Sequence, residues 1–306
     1  MGRNIISAMV GIKQKNDIIK EFRNTGFFSS KKFFMISLVA LTLTACATKA
    51  VTEPKTPIIT KAIIVPHHLL VENYLDDFYK KIAEKNPDVE KIILLSPNHF
   101  DYGNRYIQST TALTDKNGIK INIDKNEIAK LAQIGALYIE PIYFEKEHGI
   151  MNEFIFTNKY FKDAEIIPIR LKNGTPKDLL DILANELSKI ITPNTLIIVS
   201  ADFTHYTNEK ITLENDKKFI EYFENIHTKK DVNFDEIKKL AQCSKIDSPD
   251  AVAVDSPESI YTELKILQKE NALNFIFFKR TSSASLLGLK NPLDNTSHIF
   301  GEFLTK

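Results

Sequence analysis

The polar background of the chain is broken by short apolar runs that stop abruptly. AIIV (62–65), KIILL (91–95), AEIIPIRL (164–171) and TLIIVS (195–200) are rich in β-branched residues and too short for helices. Such runs predict strands buried on both faces. Between them the spacing changes. In 71–85, Leu75, Phe78, Tyr79 and Ile82 share one helical face. Asp124 and Glu127 form a capping-box pattern that opens a helix, and Gly135 closes it. Thr175 as cap, Pro176 as first helical residue and Asp178 in the first turn open another, running through LLDILANELSKI (179–190). Further helices are predicted near 213–225, 233–242 and 257–270, a strand at NFIFF (274–278), and a hairpin over 107–123 turning at Lys116-Asn117-Gly118. Strands separated by helices predict an α/β fold: a single domain over 61–306 with a mostly parallel central sheet flanked by helices.

The first 60 residues follow no such pattern. Ser29-Ser30-Lys31-Lys32 precedes FFMISLVALTLTAC, whose apolar part is too short to span a bilayer and suits a signal-peptide core. It ends in Leu43-Thr44-Ala45-Cys46, which resembles the lipobox of bacterial lipoproteins, where the cysteine receives lipid and becomes the new N-terminus. Residues 1–46 are therefore expected to be a lipoprotein signal with Cys46 as the lipidation site. Residues 47–60, with Thr, Pro and Lys and little periodicity, are expected to form a flexible tether. A buried N-terminal helix is the competing reading. The segment before Ser29 is long for a signal and is consistent with an extended leader. The expected location is the bacterial cell envelope, as an exported lipoprotein whose partner is the membrane.

Composition adds constraints. Of 306 residues, 43% are hydrophobic and 26% charged, with a net charge of +1. The seven basic and two acidic residues of 1–45 would leave with the signal, so 33 basic would face 37 acidic. No basic surplus points to nucleic acid as a partner. Only Cys46 and Cys243 are present, so a disulfide framework and a cysteine-rich zinc site are excluded.

The residues with chemistry cluster where strands end. AIIV runs into Pro66-His67-His68, KIILL into Ser96-Pro97-Asn98-His99, and TLIIVS into Ala201-Asp202-Phe203-Thr204-His205. In open α/β sheets, ligands bind beyond the carboxyl ends of the strands. A parallel sheet would gather these histidines. One histidine after a strand is usually a loop residue, but three recurrences point to a shared site. His227 and His298 read more simply as surface or packing residues. No G-x-S-x-G elbow, P-loop or G-x-G-x-x-G is present. Neutral imidazoles bind Fe, Zn or Cu, so a metal site is the leading chemistry.

Pro66-His67, Ser96-Pro97-Asn98-His99, Glu147-His148-Gly149-Ile150 and Ser200-Ala201-Asp202-Phe203-Thr204-His205-Tyr206 resemble, in order and spacing, the motifs of the Memo-like family. In bacteria and archaea that family is also called AmmeMemoRadiSam system protein B. The resemblance covers roughly residues 61–303. It implies a fold similar to class III extradiol dioxygenases, which use non-haem iron, and a pocket where two His and a Cys can hold iron or copper. Carried over, His67 and His99 are metal ligands, His205 is the nearby catalytic His with Asp202 beside it, and Glu147 and His148 line the pocket.

Two departures matter. The family's Pro-His-Ala-Gly is here Pro66-His67-His68-Leu69, so His68 enters the pocket wall in place of a small residue. The family's Cys aligns with Asp255. His67, His99 and Asp255 would then form a two-His, one-carboxylate set, which suits Fe(II) and disfavours Cu(I), with Cu or Zn as alternative occupants. Asp255 has a competing reading as a helix cap, because Glu258 lies three residues on and Pro257 suits a first turn.

The lipobox and the resemblance together give the expectation of a lipid-anchored metalloprotein with oxidoreductase activity on an unidentified small molecule or peptide. A non-catalytic ligand- or peptide-binding protein and a metal-dependent hydrolase are the competing classes. The anchor is tested separately. Cys46→Ala is expected to move the protein from the membrane pellet to the soluble fraction; full retention in the pellet would contradict the lipobox reading.

Overall fold

The computed structural model describes residues 59–243, 248–290 and 292–305. The signal and lipobox expectations at 1–46, Cys46 included, lie outside them, as does the expected tether up to residue 58.

Apolar runs without a polar break need cover on both faces, and the central strands have it. β1 (Thr60–Val65) and β6 (Thr195–Ser200) are buried throughout, and β2 (Lys91–Pro97) and β5 (Glu165–Leu171) at all but their first residue. These four lie side by side in the order β5-β2-β6-β1, all parallel, with Ile93 level with both Ile167 and Ile197, and Ile64 level with Val199. Pro168, a residue usually confined to edge or irregular positions, sits inside β5 opposite Leu94.

The helices follow from that order. The chain steps outward from β1 through α1 (Glu72–Lys85) to β2, then through α2 (Lys125–Gln133) and α3 (His148–Tyr160) to β5. It then reverses through α4 (Lys177–Ser188) to β6. Right-handed crossovers in opposite directions put their helices on opposite faces. Accordingly α1 packs on α3, while α4 packs on α7 (Pro257–Lys269), and both pairs cover the parallel strands. The reversal leaves a crevice at the carboxyl ends of β1, β2 and β6.

Antiparallel strands extend the sheet on both sides. Short β3 (Ile107–Ser109) pairs antiparallel with β5, and β4 (Tyr138–Ile139) runs parallel to β3. The predicted hairpin reduces to a tight turn at Asp115–Gly118 with one bridge, Thr114 to Lys120; its strand partner lies elsewhere. Beyond β1 come β10 (Asn295–Leu304), β7 (Phe203–Thr207) and β8 (Val252–Val254), with β9 (Asn274–Ser282) along β10. β10 carries Ser297, His298 and Glu302 buried among apolar residues. Gly301 makes its close fit possible, because a Cβ there would meet the Phe275 ring at 2.3 Å.

A buried polar network ties this wing to α5 (Glu209–Asn225). Asp216 accepts from Thr204 and Ser297 hydroxyls, both at 2.8 Å, and from Arg280 Nε at 2.8 Å. Thr204 and Ser297 immediately precede His205 and His298. With side chains alternating across a strand, anchoring one residue inward turns the next to the other face. Two short helices, α6 (Phe234–Ala241) and α8 (Ser283–Leu287), complete the described elements. Among the described residues no helix is long and apolar enough to cross a membrane.

One core residue breaks the rule that buried charge is paired. Glu263, inside α7, is fully buried, and neither carboxyl oxygen has a partner among the described residues. Burial pushes its carboxyl well above the ordinary range, whereas the unfolded chain titrates near pH 4.3. The stabilising protonated form is therefore complete below about pH 4 and is lost as pH rises toward the folded value. Glu263→Met is expected to stabilise by about 1 kcal/mol or more at pH 8 and to leave a smaller gain at pH 4, read by urea unfolding. Equal effects at both pH values would contradict an uncompensated buried acid.

Candidate metal centre

The crevice gathers the strand-end residues. β1 ends at Val65, and Pro66 has no N–H to continue its ladder. His67 then turns inward, 1% exposed. Its backbone is held on both sides: its N–H donates to Asp202 Oδ1 at 3.2 Å, and its carbonyl accepts from Asn152 Nδ2 at 2.8 Å. Asp202 lies two residues past the end of β6, so β1 and β6 are tied at the ends that carry the site.

His99 is positioned by Glu147. That carboxylate caps α3, accepting from the Gly149 N–H at 3.1 Å, and also accepts from the His99 N–H at 2.9 Å and His99 Nδ1 at 2.6 Å. Glu147 is fully buried, although its sequence reads equally well as a surface helix start. Gly149 lets α3 approach closely: a Cβ there would lie 2.3 Å from Ser96 Oγ and 3.4 Å from His67 Nδ1.

Hydrogen-bond partners assign the ring tautomers. A carboxylate only accepts, so His99 Nδ1 carries hydrogen. His67 Nδ1 lies 3.1 Å from Ser200 Oγ, which itself donates to Glu153, so this nitrogen also carries hydrogen. In each neutral ring the lone pair is therefore on Nε2. Both Nε2 atoms point at one atom, Asp255 Oδ2, at 3.3 Å from His67 and 3.5 Å from His99. Asp202 Oδ2 is a further 3.5 Å neighbour of His67 Nε2.

Lone pairs converging on a carboxylate oxygen repel unless a cation joins them. Protons can serve. Burial disfavours charge on His67, but Asp202 and Asp255 outweigh it and push the ring up to about 9. His99 is likewise opposed by burial and raised by Asp255 and Glu147 to about 10. Burial would raise Asp255, yet His67 and His99 hold it well below the usual carboxylate range. A metal ion can serve equally. Donors about 2.1 Å from one ion are about 3.0 to 3.4 Å apart, close to the spacings of Asp255 Oδ2 from the two rings.

His148 supplies a third imidazole. Ligand atoms of His67, His99 and His148 all lie within 4.8 Å of one another. The His148 ring stacks on His99 at 3.9 Å, with its side chain 43% exposed. Burial, then the neighbouring His99 and His67, push it down to about 4, so it is neutral at pH 7.

Asp255 reaches the site because β7 and β8 pair Phe203 with Val254. The Asp202 N–H donates to Asp255 Oδ2 at 3.2 Å, and the Asp255 N–H to Asp202 O at 3.1 Å. The N-cap of α7 is Ser256, and the Asp255 side chain bonds toward Asp202, His67 and His99 instead. Its Oδ1 is buried without a partner among the described residues. His205, on β7, also has a buried Nδ1 without such a partner, and burial lowers its pKa.

His68 is the outlier among the expected residues. It is exposed, and its Nδ1 accepts from the Leu70 N–H at 3.2 Å, capping a short 3-10 turn. His298 is the residue that sequence reasoning placed elsewhere. Ile64 pairs with Gly301, so β10 running antiparallel carries His298 past the end of β1. Its ring lies 5.4 Å from His68 and is fully buried. A cavity lined by Thr60, Lys85 and Asn194 lies at the opposite, N-terminal ends of the strands and contains no histidine.

Comparisons with known proteins bear on the family and the fold. The profile of the family described as Memo-like protein matches residues 39–285. A MEMO1 family protein of Caldivirga maquilingensis is 31% identical over 134 residues, covering 42% of this chain and 47% of the relative. A MEMO1 family protein of Nitrosopumilus maritimus is 31% identical over 151 residues, covering 47% and 52%. The chain thus aligns with about half the length of these relatives. The crystal structure of uncharacterized protein JW3007 from Escherichia coli K12 superposes with a TM-score of 0.50 at 10% identity, covering 79% of this chain and 99% of that one, a likeness of fold alone. Because the profile spans most of the sequence, including every strand-end histidine, the chain belongs to the Memo-like protein family.

Proposed function

We propose that this protein holds one Fe(II)-type divalent ion between His67, His99 and Asp255 and acts as a non-haem oxidoreductase. One observation carries the reading: the Nδ1–H bonds of both rings turn both Nε2 lone pairs onto Asp255 Oδ2. Two His and one carboxylate on one side of an ion are a donor set that suits Fe(II). When bound, such an ion supplies open coordination positions for O2 or substrate. Zn occupies the same donors, and copper is disfavoured in its Cu(I) form by the carboxylate. His148 stands beside His99 as an additional neutral donor.

The remaining residues have defined tasks in this reading. Glu147 fixes the His99 ring and its tautomer, the role of an outer-shell carboxylate. Asp202 holds the His67 backbone and Asp255 in register. His205, kept neutral by the burial that lowers its pKa, can accept a proton from a bound ligand at Nδ1. The unidentified substrate is a small molecule or peptide. We also propose that the protein works in the bacterial cell envelope, anchored to the membrane by lipid on Cys46.

A second reading has an observation of its own. Phe100, Tyr102 and Tyr143 form a row of rings leading away from His148, with Phe100 49% and Tyr143 41% exposed. Exposed aromatic rings beside a site suit ligand or peptide binding without turnover.

Anaerobic titration of the purified protein with Fe(II) decides between them. About one ion per chain is expected, as a single three-ligand site implies. His67→Ala and His99→Ala are each expected to abolish stoichiometric binding, and Asp255→Ala to weaken it at least about tenfold. Wild-type binding in the His67→Ala/His99→Ala double variant would contradict the site.

A further inference from the structure

Behind the crevice lies a buried acid to which the proposed function gives no task. Glu153, on α3, is fully buried. Its Oε1 accepts from Ser200 Oγ at 3.4 Å, and its Oε2 accepts from the Tyr79 hydroxyl at 2.5 Å. Ser200 Oγ is in turn 3.1 Å from His67 Nδ1. A continuous buried chain therefore runs Tyr79–Glu153–Ser200–His67, joining α1, α3, β6 and the end of β1.

Counting hydrogens gives the chain a direction. Each hydroxyl has one hydrogen to donate. Burial pushes Glu153 up to about 7; above that pH it is a carboxylate and takes both, one from Tyr79 and one from Ser200. Ser200 is left with lone pairs only toward His67, so the ring must place its hydrogen on Nδ1. In the opposite arrangement a donor at position 153 would turn the Ser200 hydroxyl around to donate to Nδ1. The hydrogen of the neutral ring would then move to Nε2, the atom that faces Asp255. The orientation of one hydroxyl thus decides whether His67 presents a lone pair or an N–H to the crevice.

We infer that Glu153 is a positioning residue for the metal centre: acting through Ser200, and held by Tyr79, it fixes His67 in the Nδ1–H tautomer that frees Nε2 for an ion. The role parallels that of Glu147 toward His99, but one hydroxyl removed and inside the core. An outer-shell acceptor behind a ligand imidazole fixes its orientation and raises its basicity. The inference rests on the metal reading proposed above, and its test separates the two.

Glu153→Gln keeps the side-chain shape but adds two donors, and Ser200→Ala removes a single buried oxygen. Two readouts are made on purified protein. The first is the ring-nitrogen NMR spectrum of the metal-free chain, recorded above about pH 9 so that the His67 ring is neutral, with His67 identified by its loss in His67→Ala. Its Nδ1–H signal, protected by burial, is expected to move or vanish in both variants, while the His99 Nδ1–H signal stays. The second is anaerobic Fe(II) titration. Each variant is expected to bind about tenfold more weakly, at the lower end of the usual effect of losing an outer-shell partner. The double variant is expected to lose no more than the weaker-binding single variant, because both act through one chain of bonds. A Glu153→Gln protein that keeps both the His67 signal and wild-type Fe(II) affinity overturns the inference, as do losses that simply add. If wild type binds no Fe(II) and the His67 signal still responds to both variants, the metal reading fails while the orientation of His67 by Glu153 stands. Should Glu153→Gln not fold, Ser200→Ala reads the same chain with both measurements.

Discussion

Around Asp255 Oδ2 two imidazole nitrogens meet a carboxylate with their hydrogens already committed on the far sides of the rings. That convergence is the constraint on which the rest of the site depends. Lone pairs facing an anion in a buried crevice need positive charge between them, because an isolated buried carboxylate is strongly disfavoured. Protons meet the need in the free protein, and in the proposed function an ion would take their place. The surrounding hydrogen bonds do not close the site on itself. Glu147 and Ser200 use up both Nδ1 atoms, and the Asp202 N–H takes one lone pair of Asp255 Oδ2.

The fold supplies this geometry through topology rather than through any one loop. His67, His99 and Asp202 meet because β1, β2 and β6 are parallel and adjacent, so their carboxyl ends coincide. Asp255 arrives by a different route, carried in by the antiparallel β7–β8 pair. The Asp216 network steers β7 and β10, fixing the strand residues next to His205 and His298. The centre of the site is therefore built by the parallel core and its far wall by the antiparallel wing. Substitutions in that wing, distant from His67 and His99, are expected to act through the β7–β8 pairing that places Asp255.

The parallel core was legible in the sequence because strands buried on both faces leave uninterrupted β-branched runs. The strand-end histidines were legible for the same reason, since a run that stops in His marks where the chain leaves the sheet. The wing was less so. β10 mixes Ser297, His298, Gly301 and Glu302 with apolar residues, and each polar group is satisfied or enclosed by contacts remote in sequence. Glu302, for example, accepts from Thr60 Oγ1 and pairs with Lys85, more than two hundred residues away. His298 was accordingly read as a surface or packing residue; it is buried, and the register of β10 carries it past the end of β1. Asp255 followed by Glu258 has the form of a capping box, but Ser256 holds the cap position and Glu258 accepts from the Gly174 N–H. Glu153 gave no signal at all, being one acid on a helix whose buried face could be located only once α3 was seen against Ser200 and Tyr79.

The most direct measurement is an anaerobic crystal structure of the Fe(II)-loaded protein. The account predicts a single ion bound by His67 Nε2, His99 Nε2 and an Asp255 oxygen, each about 2.1 Å away, with both Nδ1 atoms still bonded to Ser200 and Glu147. An ion bound elsewhere, or one at His67 and His99 with Asp255 turned away to cap α7, would contradict it.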